Sequence, residues 1–285
     1  MKRPVSPIEP LVLNFTHLKV TAEADGKVLL LEFDHGKANE IGREQVAELE
    51  RLVAILEGGA GVVGLVSYSR RRTSKGTPIF VAGANVTERG GWSDEQTRAH
   101  VRWQRRTLAA LRRAPVFHVA VVDGLALGWG TEFLLTADWR IACDGAEFGL
   151  PETGLGILPG AGGTSELWAT IGVPETLRLG MTGVRIGADE AMRIRLVQER
   201  VTDVDAGLAR ARAMIVDVAR RSPTAVAAFK GAVLDAVGEP AELREETEAR
   251  AYEHCLETGE AGIGRHSFDA IRAGERPAWG PLRLR

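Results

Sequence analysis

Residues 116–164 read VFHVAVVDGLALGWGTEFLLTADWRIACDGAEFGLPETGLGILPGAGGT, and the rest of the chain is organised around this stretch. The run 116–122 is apolar and β-branched and stops at an Asp-Gly pair, which predicts a buried strand that ends in a turn. A glycine-rich corner follows at 128–130. The segment 131–137 then has the composition of an apolar helix. The pattern of strand, glycine-rich corner and helix indicates an α/β fold.

Two glutamates lie close to this corner. Glu132 is in the first turn of the predicted helix, and Glu152 follows the next predicted strand, 138–143, in a Gly/Pro-rich loop. A helix that begins at such a corner presents free backbone N–H groups, which favour negative charge together with the helix dipole. Paired carboxylates beside these donors suit proton transfer next to a carbonyl that becomes an oxyanion. Each glutamate also has a structural interpretation, Glu132 as a favourable charge at a helix N-terminus and Glu152 as a turn residue.

The composition is that of an ordinary globular protein with one or two domains. The chain has 285 residues, 45% hydrophobic and 26% charged, and a net charge of −2, which gives no argument for a nucleic-acid partner. Its two cysteines, Cys143 and Cys255, are far apart, so we expect a reducing, cytoplasmic location. No apolar run reaches about 18 residues, so no membrane span is expected. Prolines interrupt residues 1–15, which predicts a flexible extension.

Several other chemistries lack the residues they need. The six histidines have no metal-ligand spacing and the chain contains no HExxH motif, so no metal site is predicted. A G-x-S-x-G nucleophile elbow is also missing. The PGAGGT turn at 159–164 lacks the lysine of a phosphate-binding P-loop.

Three ordered blocks resemble the crotonase (enoyl-CoA hydratase/isomerase) superfamily. The sequence FVAGAN at 80–85 is similar to the family's F-x-A-G-A-D loop. The sequence ALGWGTEFLLTAD at 126–138 is similar to A-L-G-G-G-x-E-L-x-x-x-x-D. Residues 148–164 are similar to F-G-x-P-E-x-x-x-G-x-x-P-G-x-G-G-T. With weaker matches on both sides the resemblance covers residues 16–280, and the combination is far more specific than any one glycine-rich piece.

The resemblance implies the fold and its domains. It predicts a crotonase-type spiral of ββα units over 16–203, followed by a C-terminal helical trimerisation domain over 204–285. Local patterns also predict a hairpin of strands 16–23 and 27–33, an amphipathic helix over 43–57 and a short strand at 79–81. From residue 205 the periodicity indicates successive helices over 206–221, 223–237, 241–258 and 259–272, with breaks at 222–223 and 238–240. Members of the family form homotrimers, often paired into a dimer of trimers, so a homotrimer or homohexamer is expected.

The resemblance also implies a site for an acyl-CoA thioester. By position, the backbone N–H groups of Ala84 and Trp129 would form an oxyanion hole. Glu132 would activate a water molecule, and Glu152 would deliver a proton to Cα. Coenzyme A would enter as part of the substrate, with no separate cofactor. The remaining implied substrate-binding positions are Lys37, Ala38, Ala82, Gly128, Pro151 and Gly160.

One departure from the family pattern keeps alternatives open. Trp129 stands where the family has the middle glycine of a triplet. The backbone N–H is retained, but a bulky residue would be strained if the position needs a positive φ, and the indole adds bulk beside the acyl pocket. A hydratase is the first interpretation. The alternatives are an isomerase or C–C hydrolase of the same fold, an enzyme acting on carrier-protein-bound thioesters, or a catalytically silent relative.

Overall fold

A computed structural model describes residues 8–12, 14–58 and 61–284 of the protein. The strands in these segments are β1 (Lys19–Glu23), β2 (Val28–Glu32), β3 (Gly64–Tyr68), β4 (Ile79–Val81), β5 (Phe117–Val122), β6 (Leu125–Leu127), β7 (Trp139–Cys143), β8 (Glu147–Gly149), β9 (Ile186–Gly187) and β10 (Glu199–Val201). The helices are α1 (Glu9–Val12), α2 (Arg43–Glu57), α3 (Asp94–Arg113), α4 (Trp129–Phe133), α5 (Leu167–Ile171), α6 (Val173–Thr182), α7 (Ala188–Arg193), α8 (Val204–Val218), α9 (Pro223–Ala236), α10 (Ala241–Glu257), α11 (Glu260–His266) and α12 (Phe268–Arg272). The predicted mixed α/β architecture is confirmed.

The larger sheet has six strands in the order β1-β2-β3-β5-β7-β10. β1 and β2 form the predicted antiparallel hairpin, and the other pairs are parallel. Strand β2 shows why these strands are apolar throughout. Leu29 and Leu31 pack with α2 on one face, whereas Val28 and Leu30 pack with α8 on the other. Because both faces are covered, alternation between apolar and polar residues disappears.

A second, four-stranded sheet has the order β4-β6-β8-β9. The sequence predicted only β4 of this sheet as a strand. β6 and β8 have three residues each and lie beside glycine-rich turns. Strands of this length carry too little periodicity to be recognised, so their pairing is decided by the tertiary structure.

Three phenylalanine rings join the two sheets in the core. Phe33 packs edge-on against Phe80 at 5.4 Å and against Phe133 at 5.1 Å between ring centroids. These rings come from the end of β2, from β4 and from α4. Their mutual packing fixes α4 relative to the strands before it.

The predicted helical region begins with α8, which starts at Val204. Leu208, Ala211 and Ile215 of this helix are buried against the larger sheet, so α8 packs as part of the core. The predicted helix over 259–272 is divided into α11 and α12 at Ser267. None of the described helices is both long and apolar enough to cross a membrane.

The expected flexible extension is described in part. Residues 8–12 contain the short helix α1, and Ile8 and Val12 are buried in the main core, whereas Leu11 is 45% exposed. Residues 1–7 and 13 of the predicted extension lie outside the described residues.

Candidate active site

The site lies where two neighbouring strands end. β4 and β6 are parallel, with Ile79 opposite Leu125 and Val81 opposite Ala126. The carboxyl ends of parallel strands meet at one edge of a sheet. The loop that contains Ala84 and the corner that contains Trp129 therefore leave the sheet side by side.

A cavity of about 1000 Å³ opens at this edge. It brings together eight of the ten predicted site residues, namely Ala82, Ala84, Gly128, Trp129, Glu132, Pro151, Glu152 and Gly160. Lys37 and Ala38 are not among its lining residues. Ala38 lies on the adjacent loop and its carbonyl accepts a hydrogen bond from the Ala82 N–H at 3.0 Å. Lys37 is exposed on that loop.

Two residues that line the cavity, Ala84 and Trp129, have a backbone N–H without an acceptor among the described residues. Ile41 exchanges hydrogen bonds with the residues on either side of Ala84, donating to Gly83 O at 3.0 Å and accepting from Asn85 N at 2.8 Å. This pairing turns the Ala84 N–H away from Ile41. Trp129 is the first residue of α4, so its N–H has no partner within the helix. Within the described segments neither N–H has a hydrogen-bond acceptor.

The condition under which Trp129 would be strained, a positive φ, is not met. The left-handed φ of +53° belongs to Gly128, and Trp129 already has helical backbone geometry. The indole is only 2% exposed and stacks on Phe133, with ring centroids 5.4 Å apart. The bulky side chain is thus accommodated in the core beside the cavity, while its backbone N–H stays free.

Glu132 lines the cavity, and one of its carboxyl oxygens accepts hydrogen bonds from the backbone. Its side chain is 3% exposed, and Oε1 accepts hydrogen bonds from Ala161 N at 2.7 Å and from Gly163 N at 2.8 Å. Burial raises the pKa of Glu132, and these two backbone donors oppose the rise. A Cβ at position 163 would lie 2.6 Å from Pro159 Cβ and 3.2 Å from Glu132 Oε1, so glycine permits this approach.

Glu152 has a different environment. It begins a 3-10 turn, Glu152–Leu155, and its Oε2 is buried without a hydrogen-bond partner in the described part of the chain. Burial raises the pKa of Glu152 to about 7, and the charge of Glu132 contributes in the same direction. The pKa of Glu152 therefore lies near neutral pH.

Asn39 supports the site and was missed by the sequence analysis. Its buried Nδ2 donates to Phe33 O at 3.0 Å and to Phe80 O at 2.8 Å, and its Oδ1 accepts from His35 N at 2.9 Å. Its φ is +55°, a conformation that asparagine tolerates better than most residues. The side chain thereby ties the loop at 35–39 to β4, next to Ala82. The polar loop between a strand and a helix was the available signal.

Several polar side chains of the cavity wall were also missed, among them Arg89 and Gln104, which contact each other. Arg89 and Gln104 line the cavity, and Arg89 Nη2 donates to Gln104 Oε1 at 3.4 Å. Neither belongs to a block with a recognisable pattern. Among the residues that the structure describes, no three His, Cys, Asp or Glu side chains are grouped as metal ligands.

Comparison with known proteins relates this architecture to one group. A family model described as enoyl-CoA hydratase/isomerase matches residues 24–274. The chain is 32% identical over 235 residues to YngF of Bacillus subtilis, which covers 82% of this chain and 88% of YngF. It is 30% identical over 240 residues to a short-chain-enoyl-CoA hydratase of Clostridium acetobutylicum, which covers 84% and 90%. The crystal structure of an enoyl-CoA hydratase from Bacillus anthracis matches with a TM-score of 0.83 at 30% identity, over 93% of this chain and 99% of that one.

Proposed function

We propose that this chain, which belongs to the enoyl-CoA hydratase/isomerase family, adds water to the double bond of a 2-enoyl-CoA thioester. The observation that carries the proposal is the pairing of Glu132 and Glu152 on one cavity wall with different surroundings. Glu132 accepts two backbone hydrogen bonds, whereas Glu152 has a buried oxygen without a partner. Such a pair suits one base and one acid.

The free N–H groups of Ala84 and Trp129 would stabilise the reacting thioester. When water adds to Cβ, electron density moves through Cα to the thioester oxygen as an enolate. Two fixed donors directed at that oxygen lower the energy of this charged state. Removal of one such donor costs about 3 kcal/mol of transition-state stabilisation in comparable sites.

The two glutamates would move the protons. Glu132 takes a proton from water as the hydroxyl adds to Cβ, and Glu152 delivers its proton to Cα. The cycle closes when the proton on Glu132 is returned to Glu152. A pKa of about 7 for Glu152 supports the role of proton donor at neutral pH. The reaction needs no cofactor beyond the coenzyme A of the substrate.

The test is the loss of enoyl-thioester absorbance with short, branched and cyclic enoyl-CoAs. The wild type is compared with Glu132→Gln and Glu152→Gln. We expect the wild type to consume the enoyl thioester, so that its absorbance is lost, and both variants to leave the absorbance unchanged. Full activity in one of the two variants would contradict the two-carboxylate hydratase and would point to single-carboxylate chemistry such as isomerisation.

We also propose that the C-terminal helices form a homotrimer. Phe229 on α9 is 73% exposed and Tyr252 on α10 is 66% exposed, so this helix pair has an uncovered apolar face. Sedimentation equilibrium should give the mass of a trimer or of a dimer of trimers, and a monomer would contradict the proposal.

A further inference from the structure

Among the described residues, four arginines line the proposed acyl cavity, namely Arg89, Arg98, Arg102 and Arg105, and of these Arg89 is the one that is not exposed. Arg89 ends a 3-10 turn, Thr87–Arg89, a few residues after Ala84. Its side chain is half-buried and lines the cavity. The Nη2 donates to Gln104 Oε1 at 3.4 Å, and Nε is buried without an acceptor among the described residues.

The carboxylates nearest to this charge are already engaged. Glu88 is paired with Arg43, with 2.6 Å between Arg43 Nε and Glu88 Oε1, and also accepts the Arg43 backbone N–H at 3.0 Å. Glu132 accepts from two backbone N–H groups. Arg89 itself forms no salt bridge within the described segments. Burial lowers the pKa of Arg89, which reflects the cost of desolvating this cation.

Two further residues of the cavity lining carry buried donors. Gln104 is 3% exposed and Trp129 is 2% exposed. Gln104 Nε2 and Trp129 Nε1 have no acceptor in the described part of the chain. Because Gln104 Oε1 accepts from Arg89, its amide nitrogen is left to donate elsewhere. Three residues that line one cavity thus carry buried, unpaired N–H donors in the described part of the chain, and one of these donors is charged.

A carboxylate is the ligand that matches this set. It offers two oxygens with about four acceptor positions, and hydrogen bonds between a guanidinium and a carboxylate are about twice as strong as neutral ones. A methyl-terminated acyl chain would leave all three buried donors without an acceptor, which is unfavourable.

We propose that the acyl chain of the substrate ends in a carboxylate, which Arg89 binds together with the side-chain donors of Gln104 and Trp129. The substrate class is therefore the mono-CoA thioester of an unsaturated dicarboxylic acid. This inference rests on the proposed function, since it assigns the far end of the same acyl site. Trp129 would then have two roles: its backbone N–H binds the thioester oxygen, and its indole N–H contributes to substrate specificity.

The test measures binding with two saturated thioesters of equal chain length, adipoyl-CoA and hexanoyl-CoA, by isothermal titration calorimetry. Neither can be hydrated, so recognition is separated from turnover. Wild type should bind adipoyl-CoA more tightly, and Arg89→Met should reduce this preference about 10- to 100-fold. Arg89→Lys should restore part of it, because lysine keeps the charge but not the planar fork. The matched control is Arg106→Met, which removes an exposed α3 charge outside the cavity and should keep the wild-type preference.

Equal affinity of wild type for the two thioesters would overturn the inference. So would an equal loss of both affinities in Arg89→Met, because Arg89 would then support the cavity in general. Parallel assays with hexenedioyl-CoA and hexenoyl-CoA separate the two proposals. A preference for adipoyl-CoA without hydration of either unsaturated thioester refutes the hydratase and leaves the carboxylate site. Hydration of hexenoyl-CoA without a preference for adipoyl-CoA supports the hydratase and refutes the carboxylate site. If neither adipoyl-CoA nor hexanoyl-CoA binds, both proposals are refuted.

Discussion

A single methyl group at position 128 should disable the site, because this glycine carries two constraints at once. Its φ of +53° lies in the left-handed region, and a Cβ there would lie 2.6 Å from Glu152 Oε1. Contacts of a Cβ below 3.0 Å are essentially never found. In Gly128→Ala the Glu152 carboxyl must therefore move, or the corner that precedes Trp129 must change its backbone.

Two effects set the magnitude. A non-glycine residue at the φ of +53° and ψ of −118° found here costs about 1–3 kcal/mol, which should lower the free energy of unfolding by that amount. Displacement of Glu152 acts on catalysis, since a misplacement of about 1 Å in a reacting group costs about 100-fold in rate. We expect kcat of Gly128→Ala to fall about 100-fold while the protein remains folded.

The assay is hydration of the best enoyl-CoA, together with urea unfolding of the same samples. Gly154→Ala is the matched control, since position 154 lies in the same 3-10 turn as Glu152 and an added Cβ there meets nothing within 4 Å. The control should retain both rate and stability. A Gly128→Ala enzyme with wild-type kcat would refute the placement of Glu152 as the proton donor. Unchanged stability would refute the strain argument.

Two further predictions concern pH and loop anchoring. The pKa of Glu152 is raised to about 7, so its protonated form is present below pH 7 and is lost above it. The rate of hydration should therefore decline about tenfold per pH unit above neutrality, and a pH-rate profile that stays flat to pH 9 would contradict the acid role. Asn39→Ala removes the two N–H donors of Nδ2, which lie within hydrogen-bond distance of Phe33 O, Phe80 O and Ser69 Oγ, and the Oδ1 that accepts from His35 N; it should lower the free energy of unfolding by about 2–3 kcal/mol in urea denaturation. A loss below about 0.5 kcal/mol would show that the loop is held by other contacts.

The conformation of the glycine-rich corner shows where prediction from sequence ends. The pattern at 126–138 predicts a turn followed by a helix, and both are present. It does not say which residue takes the positive φ. The sequence analysis considered a positive φ at Trp129, and the structure has it at Gly128. The choice depends on how β6 hydrogen-bonds to β8, where Gly128 N donates to Gly149 O at 2.8 Å. That contact joins residues that are distant in sequence.

The cavity wall shows the same limit. Arg89 and Gln104 come from a short turn and from α3, and local composition indicates only an exposed arginine and a helical glutamine. Their burial follows from the packing of α3 over the loops of the smaller sheet. The pKa of Glu152 is likewise a property of its surroundings, because burial is its largest cause.

The sequence by itself determined the family, the fold class and helix α2 at its observed bounds, because these depend on residue types and on local periodicity. Only the tertiary structure decided the pairing of β4, β6 and β8, the burial that distinguishes Glu132 from Glu152, and the unpaired donors around Arg89. Those features arise from contacts between segments that are far apart along the chain. The energy of such contacts cannot be inferred from one short stretch of sequence, because the contacts form only when the sheets and helices have packed together.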